Sequence, residues 1–231
     1  MYKTLGQGDP LEVRDLGVMP YAAALELQHQ LVDQRRAGSI PDTLLLLEHP
    51  AVITMGRSAV EADILLSPEE REARGVTVEW IERGGETTYH GPGQLVGYLI
   101  LDLRQHLRSI RKFVYLLEEV FVQVLDEHYH ITAHRDEEHR GVWVQDEKIT
   151  ALGIAMRERI TYHGFAFNVT TDVTHYDWIV PCGITDRGQT SLQLLTGTTP
   201  EMALVKEQVA AKVAEVFGFT PASAGFSADS R

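Results

Sequence analysis

"RGGETTYHGPGQLVGYLILDL", residues 83–103, packs four glycines and a proline into its first dozen positions and then becomes strongly apolar. Glycine loses more conformational freedom on folding than any other residue, so such a cluster marks close approach to the main chain. No Gly-Lys-Ser/Thr follows it, as a P-loop requires. An apolar strand follows instead of a helix, which departs from the dinucleotide fingerprint. Upstream, "VTVEWIE" (76–82) alternates as a strand. The glycine-rich segment therefore reads as a loop between two strands, and Gly97 in the second strand marks a further site of close backbone contact.

Outward from this loop the elements alternate with no linker, repeat or low-complexity tract. "LEVRDL" (11–16), "TLLLLEH" (43–49) and "AVITM" (51–55) read as strands. From Tyr21, the residues Ala24, Leu25, Gln28, Leu31 and Val32 follow helical spacing until Gly38 and Pro41. Ile110, Phe113, Val114, Leu117, Val120, Phe121 and Val124 form a long amphipathic helix. "GVWVQ" (141–145) and "KITALGI" (148–154), with a tight turn at Asp146-Glu147, are followed by "RITYHGFAFNV" (159–169). Three strands in succession imply an antiparallel portion. Thr199 as N-cap and Pro200 at the first helical position open a last helix, with Val205, Val209, Val213 and Val216 inward. The fold class is α/β (α+β), a mixed sheet flanked by helices. A single domain is expected over 1–231, with its core at about 11–217 and a loosely ordered tail, rich in Ala, Ser and Gly, from Pro221.

With 231 residues, a net charge of −12 and a pI near 5.2, the chain lacks the basic surface that nonspecific nucleic-acid binding draws on. It has no signal-like start and no apolar run of membrane-spanning length, so a cytoplasmic location with no membrane partner is expected. Arg104, Arg108, Arg111 and Lys112 form a local basic group, which is either a solvated face or a docking patch for an acidic partner. His128, His130, His134 and His139 lack the spacing of a zinc motif, and no metal site is expected. His49 and His90 are better placed for a site.

The single cysteine, Cys182, rules out an internal disulfide. It stands in "IVPCGIT" between Pro181 and Gly183, where a turn presents a thiol to a cavity; an inert core thiol is the alternative. A nucleophilic thiolate needs a positive charge nearby, and Lys148, at the start of its strand, is the candidate, with an ordinary turn lysine as the alternative. Strict alternation puts Lys148, Thr150, Leu152 and Ile154 on one face, and Ile149, Ala151 and Gly153 on the other. Ala151 and Gly153 beside Gly164 and Ala166 would make a shallow strip, suited either to a methylene chain or to a closely packed helix.

"LLEHPAVITMGR" (46–57), the opening stretch (83–103), "GVWVQDEKITALGI" (141–154), "HGFAFNV" (163–169) and "PCGIT" (181–185) occur in this order. Together they resemble the octanoyltransferases of lipoate biosynthesis, over about residues 11–217. The resemblance implies a fold shared with biotin protein ligases and lipoate ligases. It implies transfer of an octanoyl group from octanoyl-acyl carrier protein to a lysine of lipoyl domains, namely those of the E2 subunits of 2-oxoacid dehydrogenases and the glycine-cleavage H protein. No cofactor is implied. Cys182 would be the acyl-thioester nucleophile and Lys148 the residue that lowers its pKa. The substrate would be bound by Arg83, Gly84, Gly85, Glu86, Thr87, Thr88, Tyr89 and His90, by Ala151, Leu152 and Gly153, and by Gly164, Phe165 and Ala166. Two alternatives differ in chemistry. An ATP-dependent lipoate ligase needs a nucleotide site and no Cys182, and a noncatalytic acyl- or lipoyl-domain-binding protein forms no covalent intermediate.

Overall fold

The computed structural model describes residues 8–105, 109–136, 138–180 and 187–221. In chain order these are β1 (Pro10–Val18), α1 (Tyr21–Arg36), β2 (Asp42–Glu48), β3 (Val52–Met55), α2 (Pro68–Arg74), β4 (Thr77–Trp80), β5 (Thr87–His90), β6 (Gln94–Ile100), α3 (Ile110–Tyr129), β7 (His134–Arg135), β8 (Val142–Val144), β9 (Glu147–Arg157), β10 (Ile160–Asn168), β11 (Gly188–Gln189), α4 (Leu192–Thr196), α5 (Met202–Phe217) and β12 (Thr220–Pro221). The large sheet runs β12-β1-β2-β6-β10-β9-β8-β7, with β11 added beside the start of β9. It is mixed: β1 pairs in parallel with β2 and β12, while β2, β6, β10, β9 and β8 are antiparallel neighbours. A small sheet, β4-β3-β5, stands apart.

The central strands are apolar on both sides because both sides are covered. Leu44 and Leu46 of β2, Leu95 and Leu99 of β6, and Phe165 and Phe167 of β10 pack with α3 and α5 in one core. Leu45 and Leu47, Val96 and Tyr98, and Ala166 face α1 in a second core. The continuous Leu44–Leu47 run is the signature of a strand buried on both faces. The close contact expected at Gly97 is with a side chain: the ring of Phe165 lies across it.

Three expectations need correction. Thr87–His90 is strand, not loop, and pairs with β3 in the small sheet, since its residues alternate between two packed surfaces. The tight turn is Gln145-Asp146, with Gln145 left-handed at φ 52, so β9 already starts at Glu147. The last helix opens at Met202, with Glu201 at the N-cap position and making no side-chain cap hydrogen bond; the Thr199 hydroxyl accepts from the Gln193 side chain. Residues 222–231, most of the expected tail, lie outside the described residues. Among the described residues no helix is long and apolar enough to cross a membrane.

One polar residue on the buried face of α1 fixes the geometry of β10. His163 sits in mid-strand at φ 58, a left-handed conformation that is unfavourable for a residue with a Cβ. Its N–H donates to Gln28 Oε1 at 2.7 Å, and Gln28 is wholly buried. The helical spacing that put Gln28 on the same face as Leu31 and Val32 is thereby explained. Gln28→Met keeps the shape and removes the acceptor, leaving a buried N–H unpaired. A loss of about 2 kcal/mol in unfolding free energy is expected, read from urea midpoints. An unchanged midpoint would show that Gln28 does not hold the strand.

Candidate active site

A cleft of about 520 Å³, its open mouth included, lies between the α1 side of the large sheet and β5 of the small one. Its floor is Ala151 and Gly153 of β9 with Gly164 and Ala166 of β10, which pair Ala166 to Ala151 and Gly164 to Gly153. Arg83, Thr88 and His90 come from the small-sheet side, Tyr21 from α1 and Tyr98 from β6. Lys148 and Arg140 stand at one end.

The position of Lys148 departs from strict alternation. Opposite β8 the register slips, with Val142 against Thr150 but Trp143 against Lys148, so β9 carries one extra residue there. Beyond this bulge, Ile149, Leu152 and Ile154 pack toward α3 and α5, while Lys148 shares the cleft face with Ala151 and Gly153. The expected grouping of Lys148 with Leu152 and Ile154 is thus overturned, and the bulge is the cause. Lys148 is buried, its Nζ 4.8 Å from the centre of the Trp143 ring. Its methylenes run past Gly141, which has φ +138.

Arg83 covers part of the predicted strip. Its Cδ lies 2.8 Å from where a Cβ on residue 153 would stand, so a Cβ-free residue is needed there to admit the arginine arm. The Arg83 guanidinium donates to the carbonyl and hydroxyl of Thr54 and to the Gly84 carbonyl. Ala151, Gly164 and Ala166 line the cleft beside it. Of residues 83–90, Arg83, Thr88 and His90 line the cleft; Tyr89 is turned away to His175 and Trp178. Leu152 and Phe165 border the cleft as well.

The histidines here are neutral, and the tautomers of His49 and His90 are set by their partners. Gln94 uses its amide nitrogen on Tyr89, Asn168 and Tyr176, so its Oε1 accepts from His90 Nδ1 at 2.7 Å. His49 Nδ1 donates to the Met19 carbonyl, and its Nε2 accepts from the Tyr98 hydroxyl at 2.7 Å. His163 Nδ1 meets the Tyr21 hydroxyl at 3.5 Å. Burial holds His90 and His163 down to about 3 and lowers His49 as well. Burial also raises the Tyr21 and Tyr98 hydroxyls above their ordinary range.

Arg104 is tied to Asp102 near Ile160, at the opposite end of the strands from Lys148. Arg108 lies outside the described residues. Arg140, exposed at the cleft, is a cation that the basic-patch reading missed. Cys182 also lies outside the described residues. In β11, Gln189 pairs with Lys148, and the Thr190 N–H donates to the Lys148 carbonyl. Among the described residues no cluster of three or more potential metal ligands occurs.

Residues 20–214 match the lipoyl protein ligase A/B catalytic domain. The chain belongs to this family. The octanoyltransferase of Caldicellulosiruptor bescii is 50% identical over 204 residues, 88% of this chain and 90% of that protein. A putative lipoate protein ligase from T. acidophilum with bound lipoic acid superposes with a TM-score of 0.71 at 14% identity, covering 93% of this chain and 88% of that one. The biotin protein ligase of Aquifex aeolicus superposes at 0.52 and 14% identity, covering 91% and 69%. The expected fold is therefore present, and within the family the chain groups with the octanoyltransferases.

Alternation alone missed the bulge, Gly141 and the left-handed His163. For Gly141 the available signal was its place before the apolar "VWV". A Cβ there would stand 2.6 Å from the Thr150 carbonyl oxygen and 3.3 Å from Cδ and Cε of Lys148. Gly141→Ala, strained at this φ and pressed against the Thr150 carbonyl, should lower the melting temperature, displace the lysine and lower kcat by on the order of 10²-fold. Unchanged turnover would contradict the packing.

The buried histidines also set an acid limit. Between the ordinary 6.5 and about 3, the unfolded chain binds protons that folded His90 and His163 do not. Stability therefore falls as pH falls through that window, by up to about 1.4 kcal/mol per pH unit for each histidine. Urea midpoints from about pH 7 to about 5.5, above the carboxylate range, should show this slope, and His163→Gly should reduce it. An identical slope in the variant would contradict the assignment.

Proposed function

We propose that the chain, folded as one catalytic domain, transfers an octanoyl group from octanoyl-acyl carrier protein to a specific lysine of a lipoyl domain, without ATP. The acceptors are E2 subunits of 2-oxoacid dehydrogenases and the glycine-cleavage H protein, and the setting is the cytoplasm. The observation that carries this reading is the buried Lys148, sharing one cleft face with a floor of small residues. An acyl chain can lie along Ala151, Gly164 and Ala166, gaining about 0.8 kcal/mol for each buried CH₂.

In the first half-reaction the Cys182 thiolate attacks the donor carbonyl. A carbon–sulfur bond to Cys182 forms as the bond to the carrier thiol breaks, and the carrier leaves as thiolate and takes a proton. One thioester replaces another, so no energy source is required. The ammonium of Lys148 favours the thiolate. In the second half-reaction the acceptor lysine amine attacks, the amide forms, and Cys182 departs with the proton that the amine loses. A neutral Lys148 can carry that proton between them. Backbone N–H groups at Cys182 and Gly183 are the candidates for holding the tetrahedral oxyanion, since the Gly84 N–H already donates to the Ile154 carbonyl.

Intact-protein mass spectrometry after incubation with octanoyl-acyl carrier protein, with no ATP present, tests this. A gain of one octanoyl group is expected, lost on adding lipoyl domain and absent in Cys182→Ser. No gain in the wild type, or the same gain in the variant, would overturn it. Lys148→Ala should raise the thiol pKa, seen as a shift of the alkylation rate profile to higher pH. An unchanged profile would break the pairing of lysine and thiol.

A further inference from the structure

The cleft ends as abruptly as it opens. From Lys148 its floor runs over the Ala151–Ala166 pair to Gly164, which stands against Tyr98 of β6, and His163 follows one residue on. Along the strand, about 10 Å separates the Ala151–Ala166 pair from His163 at ~3.3 Å per residue. An extended eight-carbon chain is about 9 Å long at ~1.2 Å per bond.

We propose that Tyr98 and His163, backed by Tyr21 and His49, form an end wall that sets the length of acyl chain the enzyme accepts. This deepens the octanoyl-transfer reading and rests on it. The wall is rigid for stated reasons: the Tyr98 hydroxyl is held by His49, the His163 ring by Tyr21, and the His163 backbone by Gln28. It also holds a buried polar atom. His163 is 2% exposed and lines the cleft, and its Nε2 has no hydrogen-bond partner among the described residues. The apolar floor gives way here to a buried nitrogen, against which further methylenes would gain little. A chain longer than eight carbons is opposed by both shape and polarity.

Relative kcat/KM for octanoyl-, decanoyl- and dodecanoyl-acyl carrier protein reads the wall directly. His163→Gly suits the backbone at φ 58 and so keeps the fold; Tyr98→Ala removes the other half, and Tyr98→Phe keeps the wall's volume. The two truncations should raise decanoyl use relative to octanoyl on the order of tenfold, the worth of two more buried methylenes, while Tyr98→Phe keeps the wild-type ratio. Three results would overturn the wall: equal use of all three donors by the wild type, an unchanged ratio in both truncations, or the same shift in Tyr98→Phe as in Tyr98→Ala. If the wild type transfers no octanoyl group, the underlying reading falls and the wall with it. Octanoyl transfer with an unmoved ratio removes the wall alone.

Discussion

A one-residue bulge in β9, opposite Val142 and Trp143, decides which side of the large sheet Lys148 joins. Without it, period-two alternation would turn the amine toward Leu152 and the apolar core under α3 and α5. A lone ammonium there would be driven to its neutral form by desolvation. With the bulge, the amine lies over Trp143 on the cleft face, beside the end of the Ala151–Ala166 floor. β-bulges often re-aim a side chain beside an active site, and this one is locked from both sides. Gly141 leaves room for the lysine arm, and β11 hydrogen-bonds the edge of the strand at Lys148 itself.

Behind the lysine, the cleft is built from groups that stay uncharged. His49, His90 and His163 are each buried, with pKa values pushed down, and their partners are carbonyl, amide and phenol groups. Such a layer is stiff because each ring is held by another residue, namely Met19 before α1, Tyr21 at its start, and Gln94 and Tyr98 on β6, while Gln28 of α1 holds the His163 backbone. Arg83 is the charged exception, crossing Gly153 to donate to Thr54 on β3 and so joining the small sheet to the large one. The cleft is thus a narrow, preformed slot between two sheets, suited to a flexible apolar chain whose entropy loss on binding must be met by close contact.

Much of this was legible in the chain's own residues. The Leu44–Leu47 run, the alternating Phe165 and Phe167, and the 3.6-residue period through Phe113, Leu117, Val120, Phe121 and Val124 fixed strands and helix, because burial on defined faces leaves a period behind. The small residues at 151, 153, 164 and 166 marked a shallow strip, open to either a chain or a helix, and that strip lines the cleft. What periodicity cannot carry is a break in itself. The bulge in β9 and the left-handed His163 both shift a side chain to the face that counting forbids, and neither position holds the Gly or Asn that usually announces such a change. Thr87–His90 was hidden for another reason: four polar and aromatic residues between glycines look like a loop until β3 is there to pair with them.

The orientation of β9 can be observed directly by loading the protein with ¹³C-labelled octanoyl donor in the absence of acceptor and recording NOEs from the bound chain. If the bulge aims Lys148 and the floor into one channel, the chain methylenes will show cross-peaks to the Ala151 and Ala166 methyls and to the Lys148 side-chain methylenes, with none to Ile149. Cross-peaks to Ile149 without any to Ala151 would mean that the acyl chain occupies the other side of the sheet, and the proposed site would be wrong.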